Sequence, residues 1–94
     1  MKEYSEIKEI EFQGRVVRCV YDTEQYRVYA IDVDRDKYPN IKFTKYGDAC
    51  INGNLHQLGE GILYSIKARE ELTKNGYGYK VINIKRDRPN TSLD

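Results

Sequence analysis

A small all-β barrel of five strands is the fold this sequence predicts, on three observations. Apolar and polar residues alternate through most of the chain, the period of half-buried strands. Glycine-bearing breaks punctuate that alternation at Asn52-Gly53-Asn54, Gly59-Glu60-Gly61 and Lys74-Asn75-Gly76. The connection Leu55-His56-Gln57-Leu58 has no helical pattern, and its two leucines are placed to plug a barrel end.

The strands are expected over 9–21, 25–33, 41–53, 61–73 and 77–86. In the first, Ile10, Phe12, Gly14 and Val16 share one face, with Glu9, Glu11, Gln13 and Arg15 on the other, and Gly14 marks a bend or bulge. In the second, Tyr26, Val28 and Ala30 oppose Arg27, Tyr29 and Ile31, so both faces carry bulk. The charged run Asp34–Asn40 is a loop closed by Pro39, which cannot donate in a ladder. The third strand opens at Ile41, and Tyr46-Gly47-Asp48 is either a bulge within it or the turn of a small extra hairpin. Ile62, Tyr64, Ile66 and Ala68 then alternate with Leu63, Ser65, Lys67 and Arg69. Helix propensity in Lys67–Leu72 competes with a strand there, but the hairpin signal at Lys74-Asn75-Gly76 favours the strand. In the last strand Gly78, Lys80, Ile82 and Ile84 oppose Tyr77, Tyr79, Val81 and Asn83. Residues 1–8 read as a flexible lead-in, 9–86 as the barrel, and 87–94 as a tail or a linker. A meander, a helix-free crossing and a hairpin suggest the oligonucleotide-binding (OB) type of barrel, ahead of an SH3-like barrel and a short α+β domain.

Composition narrows the function. The 94 residues carry a net charge of +1, with 16 basic and 15 acidic side chains, too balanced to hold a duplex by bulk electrostatics. No apolar run approaches the ~18 residues of a membrane span, so no membrane contact is expected. The first residues lack the apolar stretch of a secretory signal, so a cytoplasmic location is expected. Cys19 and Cys50 sit in apparent strands and not in a Cys-x-x-Cys pair, and read as buried reduced thiols. Nine tyrosines without a tryptophan suit strands and flat ligands alike.

The parts of an enzyme are missing from the pattern. There is no phosphate-binding Gly-x-x-x-x-Gly-Lys, and Gly76-Tyr77-Gly78 lacks the rest of a dinucleotide fingerprint. His56 stands without metal-ligand spacing to another His or Cys, and reads as a surface imidazole. In Asp32/Asp34/Asp36, Lys37 replaces the glycine a calcium loop needs; these and Glu70/Glu71 read as solvated charge. No catalytic residue, metal, cofactor or small-molecule substrate is expected.

A binding face is the better expectation. Barrels of the OB type bind on the face of strands two and three, between the loops joining strands one to two and four to five. That face maps to Arg27, Tyr29, Lys42, Lys45 and Tyr46, joined by Lys74, Tyr77 and Lys80 from the last hairpin. Tyrosine faces stack on unpaired bases at about 1–3 kcal/mol each, while lysine and arginine track phosphates. The same residue types occur on ordinary solvent-facing strands. The tyrosines on the Tyr26 and Tyr64 faces are expected in the core.

Four segments carry a resemblance: Glu11–Val16, Tyr26–Tyr29, Ile51–Gly61 with its Leu58-Gly59-Glu60-Gly61, and Asn75–Val81 with its Gly76-Tyr77-Gly78-Tyr79. Over roughly 9–86 the chain resembles the N-terminal barrel domain of RecD-type DNA helicases, the exodeoxyribonuclease V alpha-subunit-like group. The resemblance implies a non-catalytic accessory domain of an ATP-dependent DNA helicase or exonuclease, with a role in DNA repair and recombination. It would contact single-stranded DNA or dock on motor domains of the same chain. A protein–protein module without nucleic-acid contact and a free-standing single-strand binder are the alternatives. Asp34–Asn40 and Lys45-Tyr46-Gly47 depart from the family pattern.

Overall fold

The computed structural model describes residues 8–87; the lead-in over 1–7 and the tail over 88–94 lie outside the described residues. Five strands form in chain order: β1 (Lys8–Asp22), β2 (Arg27–Asp32), β3 (Ala49–Gly53), β4 (Leu63–Thr73) and β5 (Gly76–Arg86). They close in the order β1-β2-β3-β5-β4. β3 and β5 run parallel, and every other neighbouring pair runs antiparallel. This is a small OB-like barrel, and no helix occurs among the described residues.

β1 closes the cylinder because it serves two neighbours. Lys8–Arg15 pair with β4 and Arg15–Asp22 with β2, so the strand changes partner at Arg15. Gly14 stands beside that point, where a Cβ would lie 2.9 Å from Ile31 Cδ1, so only a bare backbone fits the crossing comfortably. Two register shifts follow, between Val16 and Arg18 and between Cys19 and Tyr21. Each leaves one valine, Val17 or Val20, unpaired and exposed. Bulges of this kind bend and twist a strand, which lets 15 residues follow the curve of a narrow barrel.

The interior is filled by Phe12, Val16, Tyr29, Ile31, Ile51, Ile66, Ala68 and Tyr79, with Val33, Ile41 and Leu55 entering from loops. Each large apolar side chain so buried contributes about 1.5–3 kcal/mol. Phe12 and Tyr79 meet edge to face, with centroids 5.5 Å apart. The expected inward faces of β1 and β4 hold, through Phe12 and Val16 and through Ile66 and Ala68.

Leu55 is buried and Leu58 packs on the core, as a plug formed by the helix-free crossing. Two tyrosine hydroxyls fasten that crossing. Tyr29 accepts a hydrogen bond from the Leu58 amide at 2.9 Å, and Tyr64 accepts one from the Gly59 amide at 3.0 Å.

The third strand is shorter than the expected 41–53. β2 offers partners only to Ala49–Gly53, so 41–45 has no strand to join there. It approaches the start of β5 through a single bridge, Thr44 to Gly76. Tyr46-Gly47-Asp48 belongs to a tight turn and not to a bulge: Gly47 N donates to Thr44 O at 2.9 Å, and Thr44 N to Asp48 O at 2.8 Å. The charged loop before it is folded by Asp34, whose carboxylate accepts from the Asp36 and Lys37 amides at 3.0 and 3.2 Å. This directs Tyr38 onto the edge of Phe12.

Candidate functional site

Side-chain alternation decides what the outer face of β2 and β3 presents. With Ile51 pointing into the barrel, Cys50 and Asn52 point out; with Tyr29 and Ile31 inside, Val28 faces out beside them. These outward residues and Gly78 of β5 form the floor of a groove of about 700 Å³. Its walls come from three turns: Tyr26 from the β1–β2 turn, Tyr46 from the Thr44–Asp48 turn, and Lys74 and Asn75 from the β4–β5 turn.

Gly76 holds two of these walls together. Its φ of +104° suits glycine, and a Cβ there would stand 2.8 Å from the backbone nitrogen of Lys45. With no side chain in the way, Lys45 N donates to Asn75 O at 2.7 Å and Tyr77 N to Phe43 O at 3.3 Å. The Thr44–Asp48 turn is thus fixed to the hairpin tip, and Tyr46 is left 70% exposed above the groove.

Several polar side chains at the groove are partnered. Arg18 and Asp48 pair at 3.1 Å, and Asn52 donates to Glu71 at 3.3 Å. Tyr26 has its hydroxyl pKa raised by partial burial, then by the charge of Glu71 and by Tyr21, whose ring meets it edge to face at 6.1 Å. Burial, reinforced by Asp48 and opposed by Arg18, raises the pKa of Cys50, so its sulfur stays a thiol at neutral pH and is a poor nucleophile. Among the described residues no three His, Cys, Asp or Glu side chains gather as a metal site requires.

The eight residues singled out in the sequence scatter around this groove. Tyr46, Lys74 and Tyr77 line it. Lys45 lies over the Tyr46 ring at 5.4 Å and Lys42 over the Tyr77 ring at 4.7 Å, each a cation resting on an aromatic wall. Lys42 also donates to Glu70 at 3.1 Å, and that bond, more than the opposing desolvation, raises its pKa. Lys80 is exposed on β5, in register with Asn52 and Arg69 but beyond the groove lining. Arg27 lies elsewhere: it pairs with Asp22 at 2.7 Å and donates to the Leu55 carbonyl, bracing the β1–β2 turn against the crossing.

Tyr29 requires correction. It is 2% exposed and sits in the core, because the inward parity of β2 is Tyr29 and Ile31, the reverse of the expected face. Tyr26, expected inside, lies in the turn with 42% of its surface exposed. Cys50 is buried as expected but Cys19 is exposed. Glu70, expected in solvent, has a side chain only 11% exposed.

Most of the groove lining escaped the sequence reading, Arg18, Tyr26, Asn52 and Gly78 among it. Asn52 did leave a signal, as a carboxamide in the otherwise small and apolar run Ala49–Gly53. Gly78 left another, as a glycine between two strand tyrosines. Compared with known proteins, the chain matches no family model, no curated protein and no solved structure.

Proposed function

We propose that this barrel is a non-catalytic domain that binds single-stranded DNA in the β2–β3 groove and serves a RecD-type DNA helicase. One observation carries the reading: three tyrosines, Tyr26, Tyr46 and Tyr77, line a groove between the β1–β2 and β4–β5 turns whose floor carries the carboxamide of Asn52. Aromatic faces beside polar groups suit unpaired bases, whose flat surfaces need stacking and whose edges need hydrogen bonds. The helicase assignment draws on the sequence resemblance, and the groove supports the nucleic-acid part of it. With Arg18 paired to Asp48, Lys74 and Lys45 are left to meet phosphates, and base stacking on the tyrosines supplies the rest.

Fluorescence titration of a labelled oligo-dT at several salt concentrations tests this. Micromolar binding with a shallow salt dependence is the expected result. Affinity weaker than millimolar at low salt removes the reading. A second reading, a protein-docking module, is favoured by the exposed apolar residues Val20, Tyr21 and Leu72, the last 72% exposed. Retained binding to a helicase motor with no oligonucleotide affinity selects it.

A further inference from the structure

The geometry points to a guanine-reading subsite at the side of the groove, where Asn52 of its floor is hydrogen-bonded to Glu71. The inference rests on the groove being a nucleic-acid site and adds the base it prefers.

Asn52 is 6% exposed and is the one buried polar side chain among the described residues. Its Nδ2 donates to Glu71 Oε2 at 3.3 Å. A carboxylate only accepts, so this bond fixes the carboxamide orientation and presents Oδ1 as an acceptor. Neither Asn52 Oδ1 nor Glu71 Oε1 receives a protein hydrogen bond among the described residues, yet no fully occluded side-chain oxygen lacks a partner. Neither oxygen is therefore fully occluded, and Asn52 lines the groove. Gly78 stands opposite Glu71 in the β4–β5 register and lines the groove next to Asn52.

Two acceptors held by one hydrogen-bonded pair call for two adjacent donors. Guanine carries them on its Watson–Crick edge, the ring N1–H beside the 2-amino group. Adenine and cytosine offer one amino group next to a ring acceptor, and thymine offers one N–H between two carbonyls. Only an unpaired base has that edge free, in keeping with a single-stranded ligand. Tyr26 lines the same groove as Asn52 and offers an aromatic face to a base bound there.

The test is fluorescence anisotropy of the 94-residue chain with labelled oligo-dT carrying one central substitution: dG, dA, dC or deoxyinosine. A bidentate contact of this kind predicts about ten-fold tighter binding of the dG oligonucleotide than of oligo-dT. Inosine, which keeps N1–H and lacks the amino group, loses most of that gain. Glu71→Gln, which puts an amide donor where the second acceptor stood, abolishes the preference of the chain for the dG oligonucleotide over oligo-dT. Equal affinity for all five ligands overturns the guanine subsite and leaves the groove standing. Persistence of the preference in Glu71→Gln overturns the subsite too, and absence of any oligonucleotide binding overturns the groove along with it. If Glu71→Gln fails to fold, the inosine comparison decides alone.

Discussion

Tyr79 donates its hydroxyl hydrogen to Glu70 Oε1 at 3.1 Å, from a side chain with no exposed surface. The Tyr79 hydroxyl oxygen in turn accepts from the Lys42 amide at 3.0 Å, and Glu70 takes a further bond from Lys42 Nζ. One phenol thus joins β4, β5 and the β2–β3 loop, which carries the turn that walls the groove.

Removing that hydroxyl should be costly. Tyr79→Phe keeps the ring against Phe12 but leaves the Lys42 amide and one Glu70 oxygen without their partner, a loss of about 1–3 kcal/mol. Urea denaturation reads it as a lower midpoint at unchanged slope. Equal stability of the variant contradicts the prediction.

High pH should attack the same place. Burial, together with the charge of Glu70, pushes the Tyr79 pKa up to about 12. A phenol whose folded pKa exceeds its unfolded value of 10.0 stabilises the fold fully below pH 10 and progressively less as pH rises towards 12. Lys42, also raised, favours the charged form in the fold, and its contribution likewise fades as pH rises above the ordinary lysine value of 10.5. Thermal melts from pH 8 to 12 should show a plateau followed by a decline above pH 10, and Tyr79→Phe should flatten the decline.

The legibility of this fold in the sequence depended on what interrupts simple alternation. β1 and β4 were readable where Phe12 pairs with Ile66 in an uninterrupted ladder. β2 was not, because Val28 and Ala30 are as apolar as Tyr29 and Ile31; which set faces inward depends on the strand's partners and not on its own composition. In β5 the pairing jumps from Lys67–Asn83 to Ala68–Val81, so Ile82 is left out and Ile84 returns to the core on the other parity. The groove was legible in outline, as the region between two turns. Its floor was not, since Val28, Asn52 and Gly78 are brought together from three strands only when the barrel closes.

Gly76→Ala should separate stability from mere turn preference. The added methyl meets backbone on the Thr44–Lys45 side, at a φ where L-residues are strained, for a cost of about 1–3 kcal/mol. The Thr44–Asp48 turn should detach, and oligonucleotide affinity should fall with it. Equal affinity in a folded Gly76→Ala variant contradicts the role of that wall.

The two thiols should react at different rates. Cys19 is exposed, whereas Cys50 is buried in the groove floor with a raised pKa. A disulfide reagent at pH 7.5 should label one thiol quickly and the second slowly, and oligonucleotide should slow the second further. Two equal rates contradict the burial of Cys50.

Stacking should depend on the walls. Tyr46→Ala and Tyr77→Ala should each weaken oligo-dT binding by about 1–3 kcal/mol if a base rests on that ring. Tyr46→Ala should leave urea stability unchanged, since its ring is largely in solvent. Unaltered affinity in both variants contradicts binding between these walls.

The most direct measurement is an amide NMR titration of the chain with unlabelled single-stranded oligonucleotide. Binding in the groove predicts shift changes concentrated at Tyr26, Tyr46, Asn52, Tyr77 and Gly78. Changes centred on Gln13, Ser65 and Asn83, which line a separate cleft on the β1–β4–β5 face, contradict it, as does a spectrum unmoved by the ligand.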